Sequence, residues 1–130
     1  MKEPNWIEER DTLTIHEHLL ALHGGAPGLR DKTLLSSALA RPRQHLAYAD
    51  NVDTISLSAA YTAGILGNHP FVDGNRRTGF VIGVLFLELN GYRFTASEED
   101  AAQAVISLAA GMLDEEGYIS FLRANTMREI

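Results

Sequence analysis

Apolar residues recur at three- and four-residue steps through most of the chain, and strict alternation is nearly absent. Thr14–Leu22 reads as a short helix, since Thr14 and Glu17 have capping-box spacing and Ile15, Leu19 and Leu22 share a side. Gly24-Gly25 ends it, and the glycine-rich GAPGLRD that follows is a loop. Asp31 is placed to N-cap a second helix, with Leu34, Leu35, Ala38 and Leu39 on its inner face and Pro42 in or just after it. Tyr48–Asp53 is polar and turn-like. A third helix is expected from about Ile55 to Leu66, built on Leu57, Ala60, Tyr61, Gly64 and Ile65. NHPFVDGN breaks the pattern, because Pro70 restricts His69 and Gly74-Asn75 is a turn signal. The fourth helix, about Arg76 to Leu89, is strongly apolar and stops at Asn90-Gly91. Tyr92–Thr95 reads as short and extended. Ser97 and Asp100 open a helix through about Met112, and a last one is expected over roughly Tyr118–Thr126. The pattern predicts an all-α fold of about six helices, one domain over residues 1–130 with its core at about 13–125.

Composition narrows the function classes. A chain of 130 residues, 45% apolar, supports one packed core and not two. It has no cysteine, so disulfides, thiolate metal sites and a cysteine nucleophile are excluded, and a reducing, cytoplasmic setting is expected. A formal charge of −6 argues against direct nucleic-acid binding. The longest uncharged apolar run, Gly79–Leu87, is nine residues, far short of the roughly 20 that span a bilayer, so no membrane partner is expected. Gly79 and Gly83 within it predict a close helix contact. The polar start of the chain carries no apolar stretch of the kind a secretory signal needs.

The chemistry concentrates in residues 69–79, HPFVDGNRRTG. A helix start offers unpaired N–H groups and a partial positive charge, and here a glycine precedes it, so an anion can approach the backbone. Asn75 adds an uncharged donor and Arg77 a fork suited to phosphate. Arg76 and Arg77 together oppose the helix dipole, a placement that makes sense when an anion is bound. Asp73 is a hard oxygen ligand suited to Mg²⁺. His69 can accept a proton near neutrality. Phe71 is expected to anchor the loop in the core. Together these side chains describe phosphoryl or nucleotidyl transfer.

The stretch HPFVDGNRR resembles the active-site motif of Fic-domain proteins, H-x-F-x-[DE]-G-N-x-R. The Gly-Gly-x-Pro-Gly stretch at 24–28, RPRQHLAYAD and FLELNG are similar to the short Doc subfamily, the toxins of Phd/Doc toxin–antitoxin pairs, and the resemblance covers about Leu13–Asn125. It implies a Fic fold with a short extended flap, corresponding to Tyr48–Asp53, that aligns the target segment. It implies ATP and Mg²⁺ as cofactors, with His69 as general base and Asp73 holding Mg²⁺ on the phosphates. Asn75 and Arg77 would bind phosphate, and the backbone from Gly74 through Arg76 to Arg77 would form the anion hole. AMP-transferring members usually carry Gly after the Asn and a second Arg three residues beyond the motif Arg. Arg76 and Phe80 stand there instead, with Phe80 expected in the core. Doc departs in the same way, which favours a kinase acting on a Ser/Thr hydroxyl of an EF-Tu-like translation factor and so blocking translation. Gly74 keeps AMPylation open as the alternative, and a non-catalytic antitoxin-binding module is the rival from another class. The family's inhibitory [ST]-x-x-x-E-[GN] has no counterpart, because Met112 stands four residues before Glu116-Gly117. Restraint is therefore expected from a Phd-like antitoxin whose disordered tail folds onto the toxin.

The remaining polar signals are read as structural. His16, His18 and His23 do not form a metal-ligand pattern and are taken as solvated or capping residues. Glu98-Glu99-Asp100 complements a helix dipole, Asp114-Glu115-Glu116 is a solvated turn, and Trp6 is a packing anchor.

Overall fold

The computed structural model describes residues 1–129 and is all-α apart from one short strand pair. The helices are α1 (Glu9–His23), α2 (Lys32–Tyr48), α3 (Thr54–Asn68), α4 (Asn75–Leu89), α5 (Glu98–Ala109) and α6 (Glu115–Ala124). Strands β1 (Tyr92–Phe94) and β2 (Thr126–Arg128) pair antiparallel, with Arg93 opposite Met127.

Helix α3 is central and buried on nearly every side. Leu57, Tyr61 and Ile65 join Leu35, Ala38, Ile82 and Phe86 in one apolar cluster toward α2 and α4. Ile55 and Ala59 join Leu87, Val105, Tyr118 and Leu122 in a second cluster toward α5 and α6. A helix buried all round must be apolar all round or satisfy its polar groups internally. The sequence does both: the hydroxyls of Ser58 and Thr62 donate to the carbonyls of Gly83 and Gly79 on α4, each at 2.8 Å. The Gly79/Gly83 pair allows this approach. A Cβ at position 83 would run into Thr62 Oγ1 and lie 3.2 Å from the Ser58 carbonyl oxygen.

Several boundaries differ from the sequence pattern. Helix α1 begins at Glu9, not Thr14, because Glu8 and Asp11 form the capping box and Glu9 and Asp11 sit in the first turn. Thr14 instead donates to the Arg10 carbonyl in mid-helix. The preceding arm is tied into the core. Ile7 is buried and its backbone N–H donates to the Tyr61 hydroxyl at 3.0 Å, while Trp6 stacks on Phe86 with Arg43 over its ring. Asp31 caps α2 by accepting from the N–H groups of Thr33 and Leu34, and Pro42 lies inside that helix. Asp114 caps α6 rather than lying in a solvated turn. That helix ends at Ala124, and the chain then forms β2 instead of another turn of helix.

Candidate active site

The motif loop links the C-terminus of α3 to the N-terminus of α4, and α3 and α4 are locked together by the contacts above. Phe71, fully buried, anchors it. Its backbone N–H donates to Asn75 Oδ1 at 3.0 Å, and Asn75 Nδ2 donates back to the Phe71 carbonyl at 2.9 Å. Asn75 is buried, so most of its amide is engaged inside the loop and one amide hydrogen remains. His69 caps α3 in the left-handed conformation, and Gly74 caps α4 at φ 80°, where glycine carries no Cβ penalty.

The start of α4 leaves its backbone donors open. Gly74 provides no side-chain cap, and among the described residues no acceptor meets the backbone N–H groups of Asn75, Arg76 and Arg77. The first turn has no acidic side chain, and neither Arg76 nor Arg77, both exposed, enters an ion pair among the described residues. Three unpaired donors and two unpaired guanidiniums attract a polyanion.

Asp73 is exposed beside this site. Its Oδ2 accepts from the Ala26 N–H at 3.1 Å and its Oδ1 from the Gly74 N–H at 2.9 Å. These bonds, with smaller contributions from the nearby His16 and Arg77, outweigh desolvation and hold its carboxyl below the usual carboxylate range. A single ionised carboxylate beside a phosphate site suits Mg²⁺, which takes one or two carboxylates together with phosphate oxygens and water. Among the described residues no group of three or more His, Asp or Glu forms a metal cage.

The structure brings His69, Asp73, Gly74, Asn75, Arg76 and Arg77 to one groove of about 1080 Å³, walled by Val81 and Val84 of α4 and by α5. Phe80 is half-buried rather than fully in the core: it packs against the second apolar cluster, its ring edge-on to Phe94 at 5.6 Å, and also lines this groove. Tyr48–Asp53 does not reach the groove. It precedes α3, whereas His69 follows it, and 15 residues of helix separate the two by about 22 Å. Asp53 there caps α3 and pairs with Arg123. The extended segment beside the motif loop is instead the α1–α2 connection. Leu29 bridges Phe71, and the Val72 N–H donates to the Gly28 carbonyl at 3.0 Å.

Two supporting residues escape sequence reasoning. His16 is neither solvated nor a cap: it is buried, its ring lies parallel to Phe71 at 3.7 Å, and its Nε2 is 2.8 Å from the Asp73 carbonyl oxygen. A carbonyl only accepts, so Nε2 carries the proton. The available signal was its place on the inner stripe of α1 with Thr12, Ile15 and Leu19. Arg30 is the second; it donates through Nε to the His69 carbonyl at 2.8 Å and through Nη2 to the Asn68 carbonyl at 3.0 Å.

The site is thus a glycine-capped helix start that opens between a histidine and a carboxylate in an all-α fold. A family model described as the Fic/DOC family matches residues 6–87, and the chain belongs to that family. Among curated proteins it is similar to "Protein kinase doc" of Escherichia phage P1, 27% identical over 117 residues, covering 90% of this chain and 92% of the relative. It is also similar to "Toxin Doc" of Mycolicibacterium smegmatis, 30% identical over 107 residues, covering 81% and 80%.

Proposed function

We propose that this chain is the toxin of a toxin–antitoxin pair, a Doc-type kinase that moves the γ-phosphate of Mg-ATP to a Ser/Thr hydroxyl of an EF-Tu-like translation factor. The observation that carries the reading is the open start of α4, with three N–H groups free and two arginines unpaired among the described residues, flanked by His69 and Asp73. The two Doc relatives, named a protein kinase and a toxin, support the same assignment. A kept catalytic set is not expected of a non-catalytic module.

In this reading His69 accepts the proton of the attacking hydroxyl. The N–H groups of residues 75–77 and the guanidiniums of Arg76 and Arg77 hold the transferring phosphate and stabilise its charge as the bond to the leaving phosphate breaks. Asp73 would hold Mg²⁺, which neutralises phosphate charge when bound. Phe80 presents an apolar wall where a second arginine would otherwise fix the outer phosphates, and Arg76 narrows the hole, so the γ-phosphate is the end presented to His69. Restraint would come from a Phd-like antitoxin. Among the described residues no helix is long and apolar enough to cross a membrane.

The test incubates the protein with a cell lysate and ATP labelled at either the α- or the γ-phosphate. Label from the γ-position on a single acceptor protein is expected. Label from the α-position would refute the kinase reading in favour of AMPylation, and no label with no Mg-ATP binding would leave a binding module. The double change Arg76→Gly with Phe80→Arg should lose γ-transfer. Because Phe80 also packs on the second apolar cluster and on Phe94, thermal melting of that variant is measured alongside.

A further inference from the structure

His69 stands at φ 52° and ψ 55°, one of two non-glycine residues with positive φ among those described. A residue with a side chain persists there only when its surroundings over-determine it. From within α3, its N–H donates to the Ile65 carbonyl at 2.9 Å. The Asn68 side-chain amide beside it donates to the Leu34 carbonyl of α2 at 2.9 Å, and the groups that meet the carbonyls of residues 68–70 come from the α1–α2 connection. The Arg30 side chain grips the carbonyls of Asn68 and His69 in a two-point fork. The backbone N–H groups of Arg30 and Asp31 donate to the next carbonyl, that of Pro70, at 2.7 and 3.1 Å.

Helix α3 has no basic residue in its own last turn. Arg30 supplies that charge from another element, where the helix dipole is negative. It makes no ion pair among the described residues, so its interactions there are with carbonyl oxygens. The Arg30 side chain touches only the carbonyls of Asn68 and His69, whereas the phosphate cradle is braced by Asn75, Phe71 and His16 and by other residues of the same connection, Ala26 at Asp73 and Gly28 at Val72.

We propose that Arg30 is a positioning residue that sets the place of His69 independently of the phosphate cradle. The inference rests on the transferase reading of the site. Arg30 is exposed, so replacing it removes the fork and leaves the packed core intact. A two-point fork holds direction as well as distance, which a lysine ammonium cannot reproduce.

Two measurements on the full chain test this. The first uses purified EF-Tu as acceptor and γ-labelled ATP. Arg30→Ala should lower kcat about 100-fold, the size expected when a reacting group is misplaced by about 1 Å. KM for ATP and the calorimetric Kd for a non-hydrolysable ATP analogue should stay within about twofold, and Arg30→Lys should recover part of kcat by keeping one contact. An unchanged kcat, or a Kd weakened in step with kcat, overturns the proposal. The second measurement does not depend on the acceptor. NMR resonances of Asn68 and His69 should shift in Arg30→Ala, while those of Asn75, Arg76 and Arg77 keep their positions and their response to Mg-ATP. Unmoved His69 resonances overturn the clamp even if wild-type protein proves silent on EF-Tu. A silent wild type whose His69 resonances do shift in the variant would instead refute the assigned acceptor and leave the clamp standing. Should Arg30→Ala fail to fold, Arg30→Lys decides by the same two readouts, with a roughly tenfold kcat loss at constant Kd expected from one lost contact of the fork.

Discussion

Replacing His16 tests whether the candidate site is braced from α1. The imidazole does two separable things: its ring lies flat on Phe71, 9° from parallel, and its Nε2–H meets a backbone carbonyl of the motif loop at 2.8 Å. His16→Phe keeps a ring for the stack and removes the donor. A partly buried acceptor left unpaired costs about 1–3 kcal/mol. His16→Ala removes the ring as well and opens a cavity against Phe71. Deleting a buried aromatic ring costs about 3–5 kcal/mol, and a smaller ring such as imidazole falls toward the lower end. For a domain of this size each kcal/mol moves Tm by about 3–5 °C. The Phe variant should therefore melt about 3–15 °C below wild type, and the Ala variant lower still. The site should respond too. His16 holds the carbonyl just ahead of the free N–H groups of α4, so Mg-ATP affinity measured by calorimetry should fall in His16→Phe at temperatures where the variant is folded. Urea denaturation with nucleotide calorimetry checks both parts. Wild-type stability and wild-type affinity in both variants would refute the brace.

Other outcomes follow from the same geometry. His69→Ala should abolish transfer and leave the calorimetric Kd for Mg-ATP nearly unchanged, because an imidazole that removes a proton is not needed to hold phosphate; near-wild-type transfer would disprove its role. Arg77→Ala should weaken nucleotide binding with little change in Tm, whereas Asn75→Ala should lower Tm first, since it strands the buried N–H and carbonyl of Phe71 at about 1–3 kcal/mol each. Equal Tm losses in the two variants would contradict that division. Asp73 should titrate by NMR below the midpoint of an unperturbed aspartate, because the N–H groups of Ala26 and Gly74 favour its charged form. The sign follows from that depression: its contribution to stability is fully present above the ordinary carboxylate pKa and is lost as pH falls through the lowered one. A midpoint at or above the ordinary value would show that the two backbone bonds are absent in solution.

Much of this protein was legible along the chain. Asp31, Ser97 and the Gly79/Gly83 pair announced two helix starts and one close helix contact, because capping and close packing are local in sequence. The motif from His69 to Arg77 announced the loop and the glycine-capped helix start that follows it, and its two adjacent arginines, unfavourable at that end of a helix, marked the place as one to test for an anion. The tertiary structure decided what joins positions far apart in the chain. His16 lies 57 residues from the carbonyl it meets and Arg30 lies 39 from His69, and no periodicity encodes such pairs. Asn75 spends most of its amide on Phe71 because the loop folds back on itself, which residue type alone does not specify. The extended segment beside the motif is the α1–α2 connection rather than Tyr48–Asp53, because α3 runs between the latter and His69 and carries the two to opposite ends of the bundle. Local rules place caps and turns; only packing of distant helices decides which loop meets which.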